Sequence, residues 1–421
     1  MNEFEVVIPD KQGTFDFGYF EGGASLCLPL EDRFPHVAAE TGDGTAPRIR
    51  GTLADYVSAT AAARPAVAAR LQRMAWNRVR RCACGKCVAA TLAACNGCGA
   101  PLAGVPVTRT ENVFAGFVLG VERCAHFALT ISARAQTPRT LVFDDPLALA
   151  PCHLNAVPAQ DYVADWRGLL RRPTAGLALV RELRAHCDRV AREQFLADRA
   201  WRAKALRADA DADAVLAAAL AGFNLPPSQF QLHLQYILPP LLPQQHRMLR
   251  AGLHFTKGRF VPYEYVEAVL DAAAKDPHLL DGLHLCDGGE DQEEEEDKMP
   301  SLDVIVAHFA QGPAHIDYNT YHAALLARAE EAQRRFANWD PADFGGFLAG
   351  STLHRFTRVE ARPDGTFVCH ADAGTPADVR ALVAADKKTL QNYGRPYSPE
   401  TGNPTGTYYR FPKDPEEINI W

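Results

Sequence analysis

Five of the 11 cysteines of this chain lie in one short segment that begins at Cys82. Two Cys-x2-Cys pairs contain or precede a glycine, so tight turns can aim their thiolates at one tetrahedral ion. This spacing favours a structural zinc site over free or disulfide-bonded thiols, with Cys82 as a substitute ligand. A closed four-sulfur site has no open coordination position, so we expect the ion to support folding and not catalysis. The expected ligands are Cys84, Cys87, Cys95 and Cys98.

The composition describes an acidic globular chain. With 421 residues, 47% of them apolar, it has room for two or three domains with real cores. A net charge of −7 argues against sequence-independent binding to nucleic acid, which needs a basic surface. We find no apolar run long enough to cross a bilayer and no signal peptide pattern in the first ten residues. We therefore expect a soluble cytoplasmic protein without a membrane partner.

Changes of pattern along the chain suggest its organisation. The stretch from Thr52 to Arg81 has helical periodicity, broken near Pro65, and we expect helix as far as Arg81. The acidic stretch 287–297 is typical of a solvated loop, and the stretch 393–411 has too much Pro and Gly for regular structure. The expected units are an irregular segment 1–50, a helix with the zinc element 51–108, a central domain 109–275, an acidic loop 276–300 and a helical, then Pro/Gly/Tyr-rich, extension 301–421.

The stretch Gln231–Ile237 alternates polar and apolar side chains. In a strand this pattern places Gln231, His233 and Gln235 on one face. One imidazole between two amides suits a nucleophilic histidine whose neighbours donate hydrogen bonds to phosphate oxygens. On these residues alone, a buried strand with one satisfied histidine is an equally open and more common interpretation.

A second segment lies about 80 residues upstream. It reads as strand, short connection and strand, and it contains Asp145, Pro151, His153 and Pro158. With the later alternating stretch it resembles the histidine-triad (HIT) fold over roughly residues 110 to 240. The resemblance implies an α+β fold, in which an antiparallel sheet with flanking helices forms a nucleotide-binding domain. The zinc knuckle and the helical C-terminal extension would be additions to it.

The resemblance also implies roles for individual residues. The central histidine of the family's signature, here His233, is the nucleophile that attacks an α-phosphate. Gln235 would hold the phosphoryl oxygen, as in the family's nucleotidyl transferases and dinucleoside-polyphosphate phosphorylases. The first signature histidine is replaced by Gln231, whose side chain or main chain is a candidate for orienting the imidazole. The expected sugar and phosphate contacts are Asp145, Asn224 and Ser228.

Three functional hypotheses follow. The first is a nucleotidyl transferase or nucleotide hydrolase that acts on a nucleotide or nucleotide sugar through a covalent nucleotidyl-histidine. The second is a catalytically inactive binding or scaffold protein, since two of the three signature histidines are absent. In the third, the cysteine-rich element is a nucleic-acid-binding knuckle with a local basic patch. The negative net charge of the whole chain argues against this third hypothesis. Pairing as a homodimer would also be in keeping with the resemblance.

Overall fold

The structure is a computed structural model. It describes residues 2–5, 49–63, 65–95, 98–124, 127–128, 133–137, 139–145, 149–160, 162–241, 243–250, 252, 254–283, 285, 299–338, 356–361 and 367–371. The predicted acidic loop at 287–297 and the predicted irregular tail at 393–411 lie outside these residues.

The strands of the described residues belong to four sheets. In chain order they are β1 (Asn2–Glu5), β2 (Ile49–Thr52), β3 (Trp76–Arg81), β4 (Cys87–Ala89), β5 (Val107–Glu111), β6 (Val121–Cys124), β7 (Phe127–Ala128), β8 (Ala133–Gln136), β9 (Thr140–Asp144), β10 (Cys152–Pro158), β11 (Leu220–Asn224), β12 (Leu234–Leu238), β13 (Phe260–Pro262), β14 (Phe356–Ala361) and β15 (Phe367–Ala371). The largest sheet has six strands in the order β13-β11-β12-β10-β9-β8, and all its pairs are antiparallel.

The helices surround this sheet. They are α1 (Leu53–Ala63), α2 (Pro65–Ala75), α3 (Val113–Leu119), α4 (Pro173–Val190), α5 (Arg199–Ala205), α6 (Ala212–Ala217), α7 (Pro243–Arg250), α8 (Tyr263–Lys275), α9 (Leu302–Gln311) and α10 (Tyr318–Phe336). Helices together with mainly antiparallel sheets confirm the predicted α+β class. No helix in the described part of the chain is long and apolar enough to span a membrane.

One face of the six-stranded sheet carries the main core. Helix α4 buries Val180 and Leu183, which lie one turn apart on the same side of the helix. They join Leu154 of β10 and Tyr236 of β12 in one apolar cluster. Apolar packing therefore covers this face of the sheet. In each strand, the residues that alternate with these apolar residues point to the opposite face.

The opposite face is covered by two separate apolar groups. One contains Phe143 of β9 and Phe114 of α3, and the other contains Leu220 of β11 and Ile237 of β12. Because alternate residues of a strand share a face, polar side chains of the central strands lie between these two groups. They are Asp145, His153, Asn155 and Gln235.

The segment Trp76–Arg81 corrects the expectation of helix as far as Arg81. It is strand β3, the middle strand of the three-stranded sheet β4-β3-β5. Asn77 and Val79 are buried, whereas the alternate residues Trp76, Arg78 and Arg80 are only half-buried, which is the period of a strand. Two neighbouring strands pair with β3 along its length, and this tertiary pairing overrides the helical pattern of the preceding residues.

A buried histidine on α4 makes stability depend on pH. His186 is 3% exposed, and its Nδ1 lies 2.7 Å from the hydroxyl of Thr140. Burial, with a smaller effect of Arg189, lowers the pKa of His186 from 6.5 to about 4. Between these values the unfolded chain binds a proton that the folded chain does not, so stability falls as the pH drops from above 6.5 towards 4.

We expect this histidine to contribute a loss on the order of 1–3 kcal/mol in the free energy of unfolding across that interval. Denaturant titrations at about pH 7.5 and about pH 5 measure it. His186→Gln, which retains a polar group for Thr140 but does not titrate, should lose much of the pH dependence. An unchanged dependence in this variant would contradict the assignment.

Candidate functional site

His233 lies just before β12, in a segment that enters the strand through a sharp turn. Gln229 and Phe230 have φ angles of 57° and 58°, in the left-handed region that non-glycine residues seldom adopt. The N–H of Leu232 donates to the carbonyl of Val163 at 2.7 Å. The strand therefore begins at Leu234, three residues later than the alternating pattern predicts.

Hydrogen bonds on both ring nitrogens define the tautomer of His233. Its Nδ1 lies 2.9 Å from the main-chain oxygen of Gln231. A carbonyl oxygen can only accept, so Nδ1 carries the proton and Nε2 carries the lone pair. The side-chain amide of Gln235 donates to that lone pair at 3.2 Å. The neutral ring thus presents Nε2 towards an amide donor, as the sequence hypothesis requires of a nucleophile.

A second histidine, His153, orients the side-chain amide of Gln235 through a hydrogen bond to its oxygen. The Nε2 of His153 lies 2.9 Å from Oε1 of Gln235, and its Nδ1 accepts from the N–H of Leu149 at 3.0 Å. His153 therefore donates through Nε2. Each group in this chain of hydrogen bonds donates to the next one: Leu149 to His153, His153 to Gln235, Gln235 to His233, and His233 to the carbonyl of Gln231. Because His153 donates to Oε1 of Gln235, the NH2 end of that amide faces His233.

Asp145 lies beside His153. One of its carboxylate oxygens is 3.6 Å from Nε2 of His153 and accepts from the amide of Asn155 at 2.9 Å. Its N–H donates to the carbonyl of His153 at 2.8 Å, and the residue is 7% exposed. The structure therefore brings Asp145, His233 and Gln235 into one polar cluster.

The other predicted contacts lie nearby along the chain. Asn224 ends β11, two residues after Gly222, whose partner across the strands is Gln235. Ser228 begins the turn before His233, but its side chain is outside the described part of the structure.

His233 is deeply buried. It is 1% exposed, and the ring of Phe114 packs against it edge-on with 5.1 Å between centroids. Burial lowers the pKa of His233 below its usual 6.5, against the opposing effects of the Gln231 carbonyl and Asp145. The ring is consequently neutral near pH 7. A ligand can reach Nε2 only if side chains such as Gln235 move.

Gln231 is held by a residue that sequence reasoning missed. Its Oε1 accepts a short hydrogen bond from Nδ2 of Asn112, which also donates to the carbonyl of Met74 at 2.8 Å. The other end of Asn112 caps α3, accepting from the N–H of Phe114 at 3.1 Å. An Asn directly before an apolar helix is an N-cap signal, although nothing in the sequence connects it to Gln231.

Asn112 therefore holds Gln231, two residues before His233. Asn112→Ser keeps an N-cap acceptor but loses the donor to Gln231. On the hypothesis that His233 is a nucleophile for nucleotidyl transfer, this variant should lower the transfer about tenfold. Nucleotide affinity should change little, which separates positioning from binding. The control is Asp198→Ala, which removes the N-cap of α5, where Asp198 accepts from Ala200 at 2.8 Å. Equal losses of transfer in both variants would mean that Asn112 contributes only to stability.

The cysteine-rich element brings four sulfur atoms together. The Sγ atoms of Cys82, Cys84, Cys95 and Cys98 all lie within 4.8 Å of one another. The pairs Cys82–Cys98 and Cys84–Cys95 are 3.5 and 3.8 Å apart. Four sulfurs at ~2.3 Å from a central ion would be roughly 3.8 Å apart, so the donor set fits a tetrahedral metal ion.

The fourth member of this group differs from the predicted set, because Cys82 replaces Cys87. The N–H of Cys82 donates to the carbonyl of Lys86 and that of Gly85 to the carbonyl of Cys82, both at 2.9 Å. This turn, with Gly85 at a φ of 87°, places Cys82 and Cys84 in the group. Cys87 already belongs to β4, opposite Arg81. Cys82, named from the sequence as a substitute ligand, is thus the cysteine that the structure places in the four-sulfur group instead of Cys87.

The comparisons with known proteins add no family. No family model matches the chain, and no curated protein matches it.

Proposed function

We propose that this protein transfers or hydrolyses nucleotidyl groups through a covalent nucleotidyl intermediate on His233, at a HIT-like site. The observation that carries the proposal is the chain of hydrogen bonds around the ring. It leaves the Nε2 lone pair next to an amide donor, 3.2 Å away, on the neutral tautomer of a ring with a lowered pKa. A nucleophile needs that lone pair, and a developing phosphoryl charge needs that donor.

The first step is a displacement at the α-phosphorus. Nε2 of His233 forms the P–N bond with its lone pair, and the bond from phosphorus to the leaving oxygen breaks with its electron pair on that oxygen. Gln235 turns the N–H that now faces His233 towards a non-bridging oxygen. The carbonyl of Gln231 stabilises the charge that develops on the imidazole, because it accepts from Nδ1.

The second step returns the enzyme to its starting state. An acceptor oxygen, from water or a phosphate, attacks the phosphorus, and the P–N bond breaks with its electron pair returning to Nε2. When the acceptor is water, one of its protons is released to solvent. Asp145 and Asn224 would hold the sugar and Ser228 the phosphate in both steps. The substrate class is a nucleotide or a nucleotide sugar.

The cysteine group is proposed as a structural zinc site. Zinc bound there would supply folding energy and no open coordination position for a substrate. The sheet next to the cysteine group is connected to the site around His233. Its strand β5 is followed by Asn112, which donates to Gln231.

A second candidate function is a binding protein that keeps the HIT-like fold without catalysis. The observation that favours it is the 1% exposure of His233, since a satisfied buried histidine needs no chemical role.

Labelling distinguishes the two candidates. The protein is incubated in turn with ATP, GTP, CTP and UTP, each carrying a radioactive α-phosphate. The enzyme proposal predicts label on the denatured protein that is lost in acid and kept in alkali, the behaviour of a P–N bond to histidine. Nucleotide binding without label would favour the binding protein, and the absence of both would contradict the HIT-like site.

A further inference from the structure

Asn155 is a polar residue of the candidate site for which the proposed mechanism has no role. It lies on β10 directly opposite Gln235 of β12 and is 4% exposed. Its Nδ2 donates to a carboxylate oxygen of Asp145 at 2.9 Å. Its Oδ1 is buried and has no hydrogen-bond partner in the part of the chain that the structure describes.

The orientation of this amide is fixed by Asp145. If the amide were turned over, its oxygen would face the carboxylate oxygen at the same short distance, and two acceptors would repel each other. Oδ1 therefore points away from Asp145 while staying in the same polar cluster. A buried acceptor left unsatisfied costs free energy, so its retention here needs a reason.

We propose that Asn155 determines sugar specificity, with Oδ1 accepting a hydrogen bond from one ribose hydroxyl while Asp145 accepts from the neighbouring hydroxyl. This inference rests on the proposed function, because it assumes that a nucleotide occupies the site. Two adjacent acceptors match the two donors of a vicinal diol. A phosphate would be repelled by both groups, since it offers acceptors and negative charge to an oxygen and a carboxylate.

The consequence is a preference for ribonucleotides. A nucleotide that lacks one of the two hydroxyls leaves a buried acceptor unpaired, and we expect it to bind about 10- to 100-fold more weakly. Asn155→Leu has a similar volume and no acceptor. It removes the acceptor Oδ1, and it also removes the hydrogen bond that Nδ2 donates to Asp145.

Equilibrium binding tests the proposal without requiring turnover. The ligands are AMP, 2′-deoxy-AMP and 3′-deoxy-AMP, with UMP and its two deoxy forms as a second set, since monophosphates have no leaving group to transfer. The wild-type protein should bind the ribose form more tightly than either deoxy form. Asn155→Leu should lose the discrimination against one deoxy form, the one that lacks the hydroxyl donating to Oδ1, and keep the discrimination against the form that lacks the hydroxyl donating to Asp145.

The possible failures are distinct. Equal binding of ribose and deoxy forms by the wild type, which needs no variant to fold, overturns the role of Asn155 and leaves nucleotide binding standing. Undiminished discrimination against both deoxy forms in Asn155→Leu also overturns it. If no monophosphate binds, this inference and the proposed function both fail.

Discussion

Replacing His233 with alanine should lower covalent nucleotidyl labelling by at least about 10³-fold. The variant loses the only atom that forms the P–N bond in the proposed mechanism, and Gln235 has no lone pair of similar basicity to offer in its place. Nucleotide affinity should stay within a few-fold of the wild type, because the proposed sugar contacts at Asp145 and Asn224 remain. Filter binding of the labelled protein and equilibrium dialysis with the same nucleotide measure the two quantities.

The matched control is His246→Ala. His246 is also a buried histidine, 7% exposed, and its Nε2 lies 3.0 Å from a carboxylate oxygen of Glu330. Loss of this ring removes a buried imidazole and its partly buried hydrogen bond without touching His233, so labelling should persist. Comparable losses of labelling in both variants would show that folding, and not nucleophilic attack, limits the signal.

Removing the cysteine group should have the largest effect on stability. Cys82→Ser replaces a thiolate of the four-sulfur group with a poorer zinc ligand, and we expect the purified protein to lose its equivalent of zinc. The free energy of unfolding should fall on the order of 4 kcal/mol or more, because structural metal binding is folding free energy. Elemental analysis and thermal unfolding, with and without a chelator, measure these changes.

Cys87→Ser is the control that separates the two ligand sets. Cys87 begins β4 outside the group, so its variant should retain the metal and most of the stability. The reverse result, with metal lost from Cys87→Ser and kept in Cys82→Ser, would restore the ligand set expected from spacing. Retention of zinc by both variants would contradict a four-sulfur site.

Local patterns in the sequence predicted some elements well. The strand from Cys152 to Pro158 lies in the segment predicted to form strand, connection and strand, and the strand that contains Gln235 is present, although it begins three residues later than the alternation predicts. These predictions succeed because a helix or strand that buries one face has apolar residues at the period of that element in its own sequence. The α+β class is expected from the resemblance to the HIT fold, and the helices and antiparallel sheets confirm the class.

The features that the sequence analysis missed depend on contacts between separate segments of the chain. Strand β3 exists because β4 and β5 pair with it, and Cys82 enters the sulfur group because a turn at Gly85 aims it there. Asn112 and Asn155 contact Gln231 and Asp145 across 119 and 10 residues, respectively. No spacing rule connects such residues, so their roles become visible only after the sheet is assembled.

The most direct test of the account is to locate the covalent nucleotide on the chain. The protein is trapped with its labelled nucleotide in alkali, digested and analysed by tandem mass spectrometry under conditions that preserve P–N bonds. The account predicts one nucleoside monophosphate on the peptide that contains His233, attached to that ring. Attachment to any other residue, or turnover with no covalent intermediate on His233, would contradict it.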